Sequence, residues 1–264
     1  MKYINNTDVP FVVRRIYTLY IGVLFILISS CTQNTDGYKP VDYKSDYIAV
    51  IEDSNIVANP EMELVIKPYR DSMMQDMNKV VGYADAEMRK SKPSGTLNNI
   101  VTDMVLEAIS KDNNWQIDFC LLNYGGLRRQ LPKGKLMKSD IFQLMPFQNE
   151  AVIVKVNSSG MKNLFKYLYF SGGQPVSGLQ VNFTDSVKFI ATIQEDVWDT
   201  TKSYWVLTSD YTANGGDKMN FFAQKDSVIM TGVLLRDAIF EYLDSLQNEN
   251  TSLKVDSVLR ITFE

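Results

Sequence analysis

Apolar residues in this 264-residue chain fall into short continuous runs and helically spaced sets, interleaved from one end to the other. Residues 118–122 and 151–156 are apolar runs with the length of buried strands, and 179–183, 187–193 and 204–207 are strand-like patches in the last third. Ile100, Val101, Met104, Val105, Ala108 and Ile109 share one broad face of a helix over about 98–110. Helical spacing returns over 159–169 through Leu164, Phe165 and Leu168, and again over 234–246, while 138–144 predicts a short helix. Residues 47–50 and 63–66 read as short strands. Beyond Pro68, the positions Met73, Met74, Met77, Val80 and Val81 predict one helical face ended by Gly82, a connector packed on the domain. The stretch after Asp217 is less regular, and 252–263 alternates at Leu253, Val255, Val258, Leu259, Ile261 and Phe263 as a closing strand. Helices and strands alternate, but several strands lie close together near the end, so the expected fold class is α/β with mixed sheets and flanking helices.

The first thirty residues follow a different rule. Arg14 and Arg15 precede the apolar run 16–28, too short for the roughly 20 residues of a spanning helix, which predicts an export signal over 1–30. Ile28-Ser29-Ser30-Cys31 resembles the lipobox of bacterial lipoproteins, which makes Cys31 a lipidated N-terminus and 31–68 a tether with short strands. The chain is then anchored in a bacterial cell envelope, on a periplasmic or outward-facing side. The alternative is an ordinary signal peptide in which Cys31 is incidental. Cys120, inside Phe119-Cys120-Leu121-Leu122, reads as a buried small hydrophobe.

Charge and composition narrow the chemistry. Basic and acidic side chains number 27 and 31, a net charge of −4 with no basic stripe, so a nucleic-acid partner is disfavoured. There is no histidine, which removes the usual proton carrier at neutral pH and leaves only carboxylates for a metal site.

Two glycine-rich loops carry the candidate chemistry. In Asn123-Tyr124-Gly125-Gly126-Leu127-Arg128 a buried strand ends at two glycines that let backbone approach a ligand. Asn123 both donates and accepts, and Arg128 offers a cationic fork for phosphate or carboxylate. The loop is equally compatible with an ordinary turn bearing a solvated arginine. Pro146-Phe147-Gln148-Asn149 sets an aromatic beside an amide: Phe147 is either a core residue or a stacking plate for a planar ligand, with Asn149 at the ring edge. Tyr211-Thr212-Ala213-Asn214-Gly215-Gly216-Asp217 supplies a second plate, a reversing turn at Asn214 and Gly216, and a carboxylate placed for neighbouring hydroxyls. A solvated β-turn is its plain alternative.

Taken in order, Leu97-Asn98-Asn99-Ile100-Val101-Thr102-Asp103, residues 123–128, residues 146–149, Gly173-Gln174-Pro175-Val176-Ser177-Gly178 and Asn214-Gly215-Gly216-Asp217 resemble the C-terminal, substrate-binding domain of the 5′-nucleotidase family. The resemblance covers 69–264. It implies Phe147 and Tyr211 on opposite faces of a nucleobase, Asn149 at its edge, Asp217 at the ribose hydroxyls and Arg128 toward phosphate, with Asn123, Gly125, Gly126, Asn214 and Gly216 completing the substrate site. It also implies a metallophosphoesterase domain holding two divalent metal ions. This chain departs from the pattern at Glu87 and Ser91, where the family places arginines, with only Arg89 and Lys90 nearby, and at Asn98, where glycine is common. The phosphate clamp is therefore incomplete.

About forty residues between Cys31 and the resemblance are too few for a metallophosphoesterase domain, and no catalytic residue or cofactor is assigned to this chain. The expected function is recognition of a nucleotide or nucleoside, orienting base and ribose for hydrolysis by a separately encoded metallophosphoesterase subunit. The alternatives are a standalone nucleoside-binding lipoprotein and a structural or interaction domain. Hydrolysis by this chain alone is disfavoured.

Overall fold

The computed structural model describes residues 59–111 and 115–264. The export signal, the lipobox and the strand expected at 47–50 lie outside the described residues. Among the described residues no helix is long and apolar enough to cross a membrane.

A five-stranded sheet lies at the centre, in the order β10-β4-β9-β2-β5, built from β2 (Phe119–Leu121), β4 (Glu150–Val156), β5 (Val176–Ser177), β9 (Tyr204–Ser209) and β10 (Lys225–Leu234). Its inner strands are apolar at successive positions because both faces are covered. Cys120, Ile153 and Leu207 point into one core, and Phe119, Leu121, Val152, Val154 and Val206 into the other. The first core is closed by α2 (Thr96–Lys111) and α6 (Leu235–Asn248), with the hairpin-like pair β1 (Val80–Ala84) and β3 (Gly134–Met137) and the short α3 (Lys138–Leu144) beside them. The second is closed by α4 (Ser158–Ser171) and by a four-stranded sheet, in the order β11-β6-β7-β8. Its strands are β6 (Leu179–Phe183), β7 (Phe189–Ile193), β8 (Asp196–Val197) and β11 (Ile261–Phe263). Strand β2 runs parallel to β9 and β11 parallel to β6, while the other pairs are antiparallel. The fold is a mixed α/β domain.

Three expectations are corrected. Residues 63–66 are helical, inside α1 (Pro60–Met77): Asn59 caps it by accepting from the Glu61 and Met62 amides, Pro60 opens it, and Glu61 and Glu63 favour its positive end. Val80 and Val81 do not continue that helix. It stops at Asn78, and the two valines begin β1. The less regular stretch after Asp217 contains the ten-residue strand β10, an edge strand whose exposed Val228 and Met230 leave it without a clean alternation.

The end of the chain also departs from expectation. Only Ile261–Phe263 of the closing strand forms, and Val258 and Leu259 are exposed. An ion cluster holds the segment instead. Arg260 makes a two-pronged contact with Asp103 at 2.8 and 2.6 Å, reaches Asp256 at 2.6 Å and donates to the Val176 carbonyl at 2.8 Å. This ties α2, β5 and the terminal strand together. Burial pushes the Asp256 carboxyl up, but the Val258 amide, Arg260 and Asn99 outweigh it and hold the group below the usual carboxylate range.

A group with a depressed folded value contributes stability that is complete above its unfolded value, near about 4, and lost as pH falls through the folded one. Substitution Arg260→Met strands two partly buried carboxylates and is expected to lower the unfolding free energy by about 2–3 kcal/mol at neutral pH, measured by urea denaturation. The wild-type advantage over the variant should shrink as the pH is taken below about 4.

Candidate functional site

Topology brings the predicted loops to one place. Strands β2 and β9 are parallel, so their C-terminal ends coincide, and β4 is antiparallel to β9, with Ala151 opposite Ser209. The loop leaving β2, the segment entering β4 and the turn leaving β9 therefore meet at one end of three adjacent strands, the position at which open α/β sheets commonly build ligand clefts. A buried hydroxyl network locks these ends. Thr208 donates to the Leu121 carbonyl at 2.7 Å and lies 2.6 Å from the Thr212 hydroxyl, and Ser209 caps α5 (Asp210–Ala213) by accepting from the Thr212 amide at 3.1 Å. Asp210 accepts the Glu150 amide at 3.2 Å, joining the start of β4 to the same platform.

On this platform Asn123, Gly125, Gly126, Arg128, Phe147, Asn149, Tyr211 and Asp217 line one cleft of about 270 Å³. Phe147 and Tyr211 are about half exposed, at 50% and 46%, so Phe147 is not a core residue. The Arg128 guanidinium lies 5.8 Å from the Phe147 ring centre and donates to the Gly125 carbonyl at 3.4 Å. Asn149 spends its carbonyl on the Leu235 amide, while its side-chain amide has no hydrogen bond among the described residues. Two predicted residues stand outside the lining. Asn214 turns its amide back onto the Asp210 carbonyl at 2.9 Å, and Gly216 lies under the Tyr211 ring.

Asp217 is the most constrained residue of the site. Its backbone is left-handed, with φ of 51°, a conformation that is mildly unfavourable for a residue with a side chain. Its surroundings hold it there at every polar group. Its amide donates to the Tyr211 hydroxyl at 3.2 Å, and that hydroxyl donates back to Oδ1 at 2.9 Å. Oδ2 accepts from Asn123 at 2.7 Å, and the carbonyl accepts from the Tyr167 hydroxyl at 2.9 Å. Each carboxylate oxygen keeps an acceptor position for a ligand.

Two glycines follow from this geometry. A Cβ on Gly126 would lie 2.8 Å from Asn123 Oδ1, and one on Gly216 would lie 2.5 Å from the Tyr211 ring. Neither has room for a side chain without moving the groups that hold Asp217.

Lys90, Arg89 and Ser91, named above at the incomplete phosphate clamp, and Tyr167, which carried no sequence signal, complete the arrangement. Lys90 donates to the Tyr124 and Leu127 carbonyls at 3.2 and 2.7 Å and sits 4.1 Å from the Tyr124 ring centre, so it clasps the first glycine loop and is not part of the cleft lining. Burial, followed by like-charge repulsion from Arg128 and Lys92, holds its ammonium below the usual lysine range. Arg89 is engaged by Glu87 at 2.7 Å, and Ser91 hydrogen-bonds the Ser94 carbonyl. Tyr167 had no signal, being one of several aromatics in an amphipathic helix. Its hydroxyl is pushed up to about 12 by burial first and then by Asp217 and Tyr211.

Metal ions do not fit this donor set. The chain has no histidine, and among the described residues no group of three or more His, Cys, Asp or Glu side chains is placed to hold one. Cys120 is free and buried, and burial pushes its thiol up.

The fold is a mixed-sheet α/β domain with a glycine-loop cleft at one end of its central sheet, and comparison places it in a family. Residues 78–224 match the model described as 5′-nucleotidase, C-terminal domain, and the chain belongs to that family. It is 22% identical over 241 residues to the trifunctional nucleotide phosphoesterase protein YfkN of Bacillus subtilis (strain 168), covering 83% of this chain and 16% of that protein. With protein UshA of Escherichia coli (strain K12) it shares 21% identity over 203 residues, covering 74% and 36%. The crystal structure of a 5′-nucleotidase precursor from Thermus thermophilus superposes with a TM-score of 0.64 at 20% identity, covering 76% of this chain and 42% of that one, a likeness of fold. The chain thus spans less than half the length of each of these relatives.

Substitution Gly216→Ala is expected to push the Tyr211 ring off its seat and cost about 2 kcal/mol of stability, read by urea denaturation. A crystal structure of the variant should show the Tyr211 hydroxyl parted from Asp217.

Proposed function

We propose that this chain is the nucleoside- and nucleotide-recognition domain of a 5′-nucleotidase-type system, lipid-anchored through Cys31 in a bacterial cell envelope. The observation that carries the reading is the shared cleft: two half-exposed rings, Phe147 and Tyr211, line it together with the Asp217 carboxylate and the free amide of Asn149. Rings open on one side favour a flat heterocycle by stacking, an amide can meet the edge of a base, and a carboxylate with one acceptor position left on each oxygen suits two neighbouring sugar hydroxyls. Arg128, at the cleft and beside Phe147, is the cation available to a phosphate there.

Hydrolysis then belongs to a separately encoded metallophosphoesterase subunit that holds the metal ions, while this chain fixes the base and ribose. Holding a substrate in one orientation removes much of the entropic cost of reaction, so such a domain raises the efficiency of a partner without donating a reacting group. The engagement of Arg89 by Glu87 and of Lys90 by the loop carbonyls supports a site that grips nucleoside more firmly than phosphate.

Calorimetric titration of the purified chain with adenosine and AMP tests this directly. Substitutions Phe147→Ala and Tyr211→Ala are each expected to weaken adenosine binding about tenfold, the size of one lost base–aromatic stack. Asp217→Ala should weaken adenosine binding more than it weakens that of free adenine. Binding of neither ligand, together with no stimulation of candidate phosphatase subunits recovered from the native membrane, would overturn the proposal.

A further inference from the structure

The two glycine-rich loops are joined twice, and only one of the joints is a cleft residue. The first is the direct hydrogen bond from Asn123 to Asp217 Oδ2. The second runs behind the cleft through side chains that do not line it. The Tyr124 amide donates to Gln174 Oε1 at 2.7 Å, Gln174 Nε2 donates to the Tyr167 hydroxyl at 3.4 Å, and that hydroxyl donates to the Asp217 carbonyl at 2.9 Å. All three donors point the same way along this relay, from the first loop to the second, so each bond polarises the next. Gln174 is buried, at 6% exposure, and its amide orientation is set by the need to accept from one side and donate to the other.

A single hydrogen bond between two loops leaves rotation about itself free, whereas two bonds at separate points define an orientation. We infer that Tyr167 and Gln174 are positioning residues that set the direction of the Asp217 carboxylate toward a ligand's paired hydroxyls; this inference rests on the nucleoside reading above. Tyr167 is braced for the role, its ring 5.4 Å from that of Phe221 and its helix packed into the second core through Leu164, Phe165 and Leu168. Its hydroxyl, like any phenol at neutral pH, is protonated and so available as the donor this relay requires. The relay also enforces the left-handed backbone of Asp217 from the carbonyl side, which the Asn123 bond alone does not reach.

The test compares adenosine with 2′,3′-dideoxyadenosine by calorimetry on the full chain in detergent, because the ratio of the two affinities isolates recognition of the hydroxyls. In Tyr167→Phe the ratio is expected to fall about fivefold, the worth of a misdirected hydrogen-bond pair, with the dideoxyadenosine affinity unchanged. Gln174→Met, which removes both of that residue's hydrogen bonds, is expected to lower the ratio at least as far. Thermal unfolding of each variant is followed alongside. A variant that melts earlier yet keeps the wild-type ratio makes the relay a structural brace only and overturns the inference. A wild-type ratio of one overturns it while leaving recognition of the base intact, and a wild-type chain that binds neither compound brings down the nucleoside reading and this inference together.

Discussion

Asp217 sits with a positive φ, a backbone state costing an aspartate on the order of 1 kcal/mol, and it stays there because four separate hydrogen bonds converge on it from three directions. Tyr211 takes both its amide and one carboxylate oxygen, Asn123 takes the other oxygen, and Tyr167 takes the carbonyl. These partners come from the turn after β9, the loop after β2 and the middle of α4. Moving any one of the three elements breaks the set, so the carboxylate is as well fixed as the sheet that carries it. Gly126 and Gly216 are glycines for the same reason: the atoms that surround them are the ones holding Asp217.

The precision of that arrangement derives from the central sheet. Its inner strands are buried on both faces, so their register cannot slip without exposing one core or the other. The parallel pairing of β2 with β9, and the antiparallel pairing of β4 with β9, then place three loops at one end of three neighbouring strands. The Thr208, Ser209 and Thr212 hydroxyls satisfy backbone groups where the strands end, so the ladder is continued by side chains. The result is a rigid floor with exposed rings at its rim, a division consistent with the recognition role proposed above.

Much of this was legible beforehand, for a stated reason. Elements with two buried faces or one broad apolar face advertise themselves by composition, which is why 138–144, 179–183 and the helix around Ile100 to Ile109 were read with nearly their final bounds. Elements without such faces did not. Helix α1 buries none of its residues and is set by its cap, while β10 is an edge strand whose partners are all on one side. The last residues alternate like a strand, but Arg260 and its two carboxylates hold them in another path, a contact between positions 103 and 260 that no local pattern encodes.

By itself the sequence determined the chemical inventory: two glycine turns, two aromatics, three amides, a carboxylate and an arginine, each following an element whose period of hydrophobicity was readable. Local composition suffices for that, because turn residues and apolar periods act over a few positions. Only the tertiary structure decided which of them share a cleft, that Phe147 is open to solvent, that Asn214 and Gly216 serve the turn from outside the lining, and that Lys90, Gln174 and Tyr167 hold the loops in place. Those outcomes depend on strand order and on hydrogen bonds spanning tens of residues, and such bonds are specified by the packed core rather than by any stretch of chain.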